Sequence, residues 1–120
     1  MGMSTADLRA AVMALPAATE DFPFGPDTAV YRVGGKMFAL ISLDEASARI
    51  NLKCDPDRAI NLRELWRAVS PGYHMNKRHW NTVEAGLDLP DEAITELIAH
   101  SYALVLASLT RKERERLAAG

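Results

Sequence analysis

Leu8, Ala11, Val12 and Leu15 recur at the i, i+3, i+4, i+7 spacing of one helical face. Ser4 and Asp7 bracket the start of that helix in a capping-box arrangement, and Pro16 stops it. The segment DFPFGPDT (21–28) holds two prolines and a glycine and is predicted as a shaped loop. In VYRVGGKMFALIS (30–42), two β-rich runs flank Gly34-Gly35, a pair that tolerates the positive φ angles of a two-residue hairpin turn. Strands 30–33 and 36–42 are therefore expected to pair antiparallel. Residues 43–47 form a polar turn. In RINLKC (49–54), Ile50, Leu52 and Cys54 alternate with Arg49, Asn51 and Lys53. Period two buries the first set and leaves the second as a wet, basic face.

Asp55-Pro56 opens a second helix, with Asp55 as N-cap and Pro56 in its first turn. It is expected to reach about Arg67, with Ile60, Leu62, Leu65 and Trp66 as its apolar positions. Ser70-Pro71-Gly72 reads as a turn, Val69 as part of a short strand and 79–83 as a further strand. Pro90 begins a third helix, whose inner stripe is Ile94, Leu97, Ile98, Ser101, Val105 and Ser108. Thr110 and Glu113 form a last capping box. The order is α-β-β-β-α-β(β)-α-α. A tight Gly-Gly hairpin joins only antiparallel strands, so the pattern indicates an α+β fold.

Composition adds little beyond this. The chain has 120 residues, 48% hydrophobic and 25% charged, which is one globular domain (1–120) with no repeats or linkers. That balance excludes disordered, collagenous and disulfide-scaffold classes. Cys54 is the single cysteine, so no intramolecular disulfide forms. The sequence contains no ~18-residue apolar run and no basic-then-apolar leader pattern, so cytoplasmic residence, away from membranes, is the expectation.

Charge changes the picture more. The chain carries −2 overall, but residues 49–80 hold seven cations against three carboxylates, a local balance of +4. A near-neutral protein can thus present a basic face; the plain alternative is a solvated surface of ordinary ion pairs. Within this region SPGYHMNKRHWNT (70–82) concentrates polar and aromatic residues. Nucleic-acid grooves need cations for phosphates and amides or flat rings for bases. Tyr73 and Trp80 read equally as anchors of the sheet, with Asn76 and Asn81 satisfying turn backbone.

Other chemistry is not supported. His74 and His79, five apart, suit neither one helix face nor one strand face, and no C-x-x-C, H-E-x-x-H or carboxylate-rich loop accompanies them. Cys54 points inward with Ile50 and Leu52. No nucleophile motif or Walker-type loop occurs. The expectation is no metal, no cofactor and no catalytic residue, hence a binding module rather than an enzyme; the enzymatic alternative would use His74 or His79 as a general base, but the sequence places no nucleophile or acidic partner beside them.

The blocks FPFGPDTAVYRVGGKMFAL (22–40), RINLKCDP (49–56) and PGYHMNKRHWNTV (71–83) resemble the MmcQ/YjbR family of small bacterial proteins. The resemblance runs from the first helix to HSYALV (100–105). It implies a fold similar to CyaY, the bacterial frataxin: a twisted antiparallel sheet with helices packed on one face. It also implies DNA binding, the label that members carry, and no enzymatic activity. Frataxin-like folds further suggest iron delivery from an acidic ridge on the first helix. Here that helix carries only Asp7, with Arg9 beside it.

The leading expectation is a nucleic-acid surface formed by Arg49, Asn51 and Lys53 with His74, Asn76, Lys77, Arg78 and His79. DNA binding would be weak or transient, because the other faces repel a polyanion. The competing expectation is a pocket for an anionic small molecule or peptide, lined by Lys36, His74, Asn76, Lys77 and His79.

Overall fold

A computed structural model describes residues 2–119. Its elements are α1 (Thr5–Met13), β1 (Thr19–Asp21), β2 (Thr28–Val33), β3 (Lys36–Ser42), β4 (Arg49–Lys53), α2 (Pro56–Leu65), β5 (Val69–Pro71), β6 (Trp80–Glu84), α3 (Asp91–Ser108) and α4 (Arg111–Ala119). The strands form one antiparallel sheet in the order β1-β2-β3-β4-β6-β5. The α+β class and the pairing of 30–33 with 36–42 beside 49–53 are as the sequence predicts.

Local chemistry accounts for the boundaries. Ser4 Oγ accepts the Asp7 N–H at 3.0 Å and Asp7 accepts the Ser4 N–H at 2.9 Å, closing the expected capping box. Thr110 and Glu113 close another at the start of α4. Asp55 caps α2 by accepting the Arg58 N–H. Gly34 and Gly35 take φ angles of +59° and +81°, the conformation a two-residue hairpin between twisted strands requires.

All four helices pack on one face of the sheet. There Leu8 and Val12 of α1 and Ile94, Leu97, Ile98 and Val105 of α3 meet Tyr31, Phe38, Ile41, Ile50, Leu52 and Val83. Ser101 fastens α3 to two strands: its hydroxyl donates to the Phe38 carbonyl at 2.6 Å and accepts the Lys53 N–H at 2.9 Å. Phe38 lies where the β2–β3 register shifts, so Ser101 satisfies backbone that the ladder leaves unpaired.

The other face carries no helix among the described residues. Its apolar content is a small cluster of Val30, Leu40 and Trp80, with Met37 and Met75 against it. Trp80 is thus buried, at 8% exposure, but away from the main core.

Several details differ from the sequence reading. Ser70 and Pro71, expected in a turn, lie in β5, because they pair with Thr82 and Asn81 of β6. β1 was not predicted, because Thr19–Asp21 is a short polar edge strand whose Glu20 turns inward to Tyr31 and Arg9. In α2 the expected apolar positions Ile60 and Leu65 are exposed: this helix lies near the sheet edge and buries only Ala59 fully. It also ends at Leu65 rather than Arg67, where Trp66 turns extended and Asp88 accepts the Arg67 and Ala68 N–H groups at 2.8 and 2.9 Å. At the end of α3, Ser108 is exposed and Leu109 takes the inner position.

Candidate nucleic-acid interface

Antiparallel register stacks side chains of the helix-free face into cross-strand rows. Leu40, Asn51, Thr82 and Ser70 stand opposite one another in turn, across β3, β4, β6 and β5. Arg49 stands opposite Glu84, and Lys53 opposite Trp80. The central row floors a cleft of about 410 Å³, whose walls include Ser42, Glu45, Arg49 and Tyr73.

Hydrogen bonds fix one group in this cleft. The Thr82 hydroxyl oxygen accepts the Tyr73 N–H at 3.1 Å, and the Thr82 hydroxyl in turn donates to Asn51 Oδ1. The Asn51 amide orientation follows from that chain: one lone pair of its oxygen is taken by Thr82, and its NH₂ group has no partner among the described residues. Arg49 donates from Nε to Glu84 at 3.2 Å.

The 72–79 loop joins β5 to β6 at the Lys53 end of β4. Gly72 donates its N–H to the Trp80 carbonyl at 2.9 Å, and a Cβ at Gly72 would stand 2.8 Å from that of Trp80, so only glycine fits this approach. His79 ties the loop to the end of β4 by accepting the Cys54 N–H at 2.8 Å. Asn76 turns the chain by accepting the Arg78 N–H at 2.9 Å, the short polar bond expected of a turn asparagine. His74 adopts φ +59°, an uncommon conformation for a residue with a side chain. Its ring lies 4.0 Å from that of Tyr73, which is 71% exposed.

The eight sequence-predicted residues therefore fall into two groups. Arg49, Asn51 and Lys53 lie on the helix-free face, with Arg49 and Asn51 lining its cleft. Lys77 and Arg78 line a second cleft of about 380 Å³ with Pro56, Ile60 and Arg63 of α2. His74, Asn76 and His79 belong to the loop between the two groups. Of the competing five-residue pocket, Lys36 is drawn to the far end of α3, where its ammonium donates to the carbonyl and hydroxyl of Ser108. None of the five lines the cleft of the helix-free face.

Charge is distributed unevenly over these groups. Arg9, Arg32, Arg49, Arg58 and Arg111 each pair with a carboxylate. Lys53, Lys77 and Arg78 pair with none among the described residues, and neither do Lys36, Arg63, Arg67 and the α4 cations Lys112, Arg114 and Arg116. Cys54 is buried, and burial pushes its thiol up, away from the thiolate that nucleophilic chemistry needs.

A family model described as YjbR matches residues 13–104. The chain belongs to the YjbR family. It is 36% identical over 106 residues to YbdF of Escherichia coli O157:H7, covering 88% of this chain and 87% of that protein. It is 30% identical over 115 residues to YjbR of Escherichia coli K12, covering 96% and 98%. Both relatives are named as uncharacterised proteins. A crystal structure of the Deinococcus radiodurans protein DR2400, with a DUF419 domain, superposes with a TM-score of 0.88 at 39% identity, covering 96% of this chain and 88% of that one. A crystal structure of a Pseudomonas syringae protein superposes with a TM-score of 0.75 at 29% identity, covering 86% and 99%. The family fixes the fold.

Sequence reasoning missed the cleft itself. Thr82, Ser70, Ser42 and Tyr73 come to Asn51 only through strand register. One signal was available: period two in WNTVE (80–84) puts Trp80, Thr82 and Glu84 on one face.

Proposed function

We propose that the protein binds nucleic acid at the end of the sheet where the 72–79 loop meets β4. One observation carries this reading: Lys53, Lys77 and Arg78, brought to one end of the sheet, are in no ion pair among the described residues, whereas Arg49 and Arg58 on the adjoining β4 and α2 are each paired with a carboxylate. Unpaired cations are the groups that exchange condensed counterions for phosphate contacts. The exposed Tyr73 ring, at the start of the same loop, adds a surface on which a base can stack. Lys53 and the Lys77–Arg78 pair would hold phosphates on either side of the loop, and Asn51 would reach a base edge.

The net charge of −2 limits long-range attraction, so binding is weak and strongly salt-dependent. Fluorescence anisotropy with labelled duplex and single-stranded oligonucleotides at ~50 mM salt tests the reading. Binding is expected for the natural chain and a marked loss for the Lys77→Ala/Arg78→Ala double variant. No binding to either oligonucleotide contradicts the proposal, as does full retention by the variant.

A further inference from the structure

The cleft on the helix-free face differs in character from the loop beside it. Arg49 is the cation that lines it, and the Arg49 guanidinium is already paired with Glu84. Glu45 stands on the same wall. The cleft therefore has no net positive charge to offer, and a phosphate entering it would meet a carboxylate. A neutral group is favoured there, whereas phosphates are favoured at Lys53, Lys77 and Arg78.

Shape and donors narrow the class. The volume of about 410 Å³ lies within the range of small-molecule clefts. The floor includes Leu40, only 7% exposed, and the Tyr73 ring stands at the rim. The apolar patch that Leu40 gives an otherwise polar floor, together with an exposed ring, suits a flat heterocycle with polar edges. The bond chain from the Tyr73 N–H through Thr82 to Asn51 leaves the Asn51 NH₂ as a donor of fixed orientation. An asparagine free to turn can pair with adenine by accepting from N6 while donating to N7. Here Thr82 fixes the Asn51 amide and takes one lone pair of its oxygen, so the NH₂ is the group that Asn51 has wholly to offer, and a carbonyl acceptor matches it.

The geometry points to a base pocket: the Asn51–Thr82–Tyr73 cleft takes one unpaired, carbonyl-bearing base, such as thymine or uracil, from a single strand. This rests on the nucleic-acid reading above and deepens it. Lys53 lies two residues from Asn51 on the same strand face, ~6.8 Å along β4. It is placed to hold a phosphate next to the seated base. A duplex, whose bases are stacked and paired, cannot use the cleft and is held through its phosphates alone.

The test is anisotropy titration of the full chain with dT10, dA10 and a duplex of equal length. The expected result is dT10 bound about tenfold more tightly than dA10. Asn51→Ala should abolish that preference. Thr82→Val keeps Asn51 but releases its amide, so the dT10:dA10 ratio should fall toward one while Asn51 is still present. The intrinsic stacking of dA10 is the same against every variant, so a change in ratio reports on the cleft. Tyr73→Ala should weaken dT10 by about tenfold, with Tyr73→Phe restoring it. Circular dichroism establishes that each variant is folded. Equal binding of dT10 and dA10, with no change in Asn51→Ala, overturns the base pocket; salt-dependent duplex binding would then leave the wider nucleic-acid reading standing. Binding of none of the three overturns both.

Discussion

Arg63 donates from Nε to Asn81 Oδ1 at 2.6 Å, joining the exposed helix α2 to a side chain that is 2% exposed beneath the sheet. The same guanidinium donates to the Lys77 carbonyl and, at 3.4 Å, to the Trp80 carbonyl. One arginine therefore holds the helix, strand β6 and the end of the 72–79 loop together. Asn81 is engaged at both ends of its amide, since its Nδ2 also donates to the Ala59 carbonyl at 3.4 Å. The basic loop has its position because of this buried polar junction.

Removing either partner has separable effects. Asn81→Ala removes the partner of the half-buried Arg63 and of the buried Ala59 carbonyl, and is expected to cost about 1–3 kcal/mol in urea unfolding. Arg63→Ala is expected to cost less, because the residue is only half-buried, and to loosen the loop. Faster amide exchange at Trp80, whose N–H bonds the Asn76 carbonyl at 3.0 Å, is the readout. Unchanged exchange in Arg63→Ala would show that the loop does not depend on it.

The edge strand β1 is held by a second junction. Tyr31, fully buried, donates its hydroxyl to Glu20 at 2.6 Å, and Arg9 donates to the same carboxylate oxygen at 3.1 Å. The Tyr31 hydrogen bond, helped by Arg9, holds the Glu20 carboxyl below its ordinary value, while burial and the carboxylate push the Tyr31 phenol up. For Glu20 the sign is that of a depressed acid. Its contribution is fully present above the unfolded value of about 4.3 and is lost as pH falls through the lower folded value. Tyr31→Phe is expected to cost about 1–2 kcal/mol at neutral pH and to flatten the stability profile below about pH 4.3. Urea midpoints measured across that range check both effects.

Trp80 separates structure from recognition. It packs with Val30 and Leu40 on the helix-free face and is 8% exposed, so it is not available as a stacking platform. Trp80→Ala is expected to cost about 3 kcal/mol, at the low end for an aromatic truncation because its cluster is small. Trp80→Phe should restore most of the stability and leave oligonucleotide affinity unchanged. A Trp80→Phe protein that is stable but fails to bind would assign the ring to recognition.

Much of this architecture was legible in the chain. Ser4–Asp7, Asp55-Pro56 and Thr110–Glu113 act within a few residues of themselves, so their caps read directly. Gly34-Gly35 dictates its hairpin because few other residues accept two consecutive positive φ angles. β1 was hidden because its stability comes from Tyr31 and Arg9, each eleven residues from Glu20. The site was legible in part for the same reason. The period of β4 reveals Arg49, Asn51 and Lys53 on one face, but the cleft needs β5 and β6 alongside, and that pairing is non-local. The helix-side placement of Lys77 and Arg78 follows from the Arg63 junction, which no short-range pattern encodes.

The most direct test of the nucleic-acid reading is the salt dependence of duplex binding. If Lys53, Lys77 and Arg78 each neutralise one phosphate, the slope of log K against log salt is expected near −2.7, from about −0.9 per contact. The Lys77→Ala/Arg78→Ala variant should bind more weakly with a slope shallower by about 1.8, while its stability stays within about 0.5 kcal/mol of the natural chain. An unchanged slope and affinity in that variant would contradict the proposed surface.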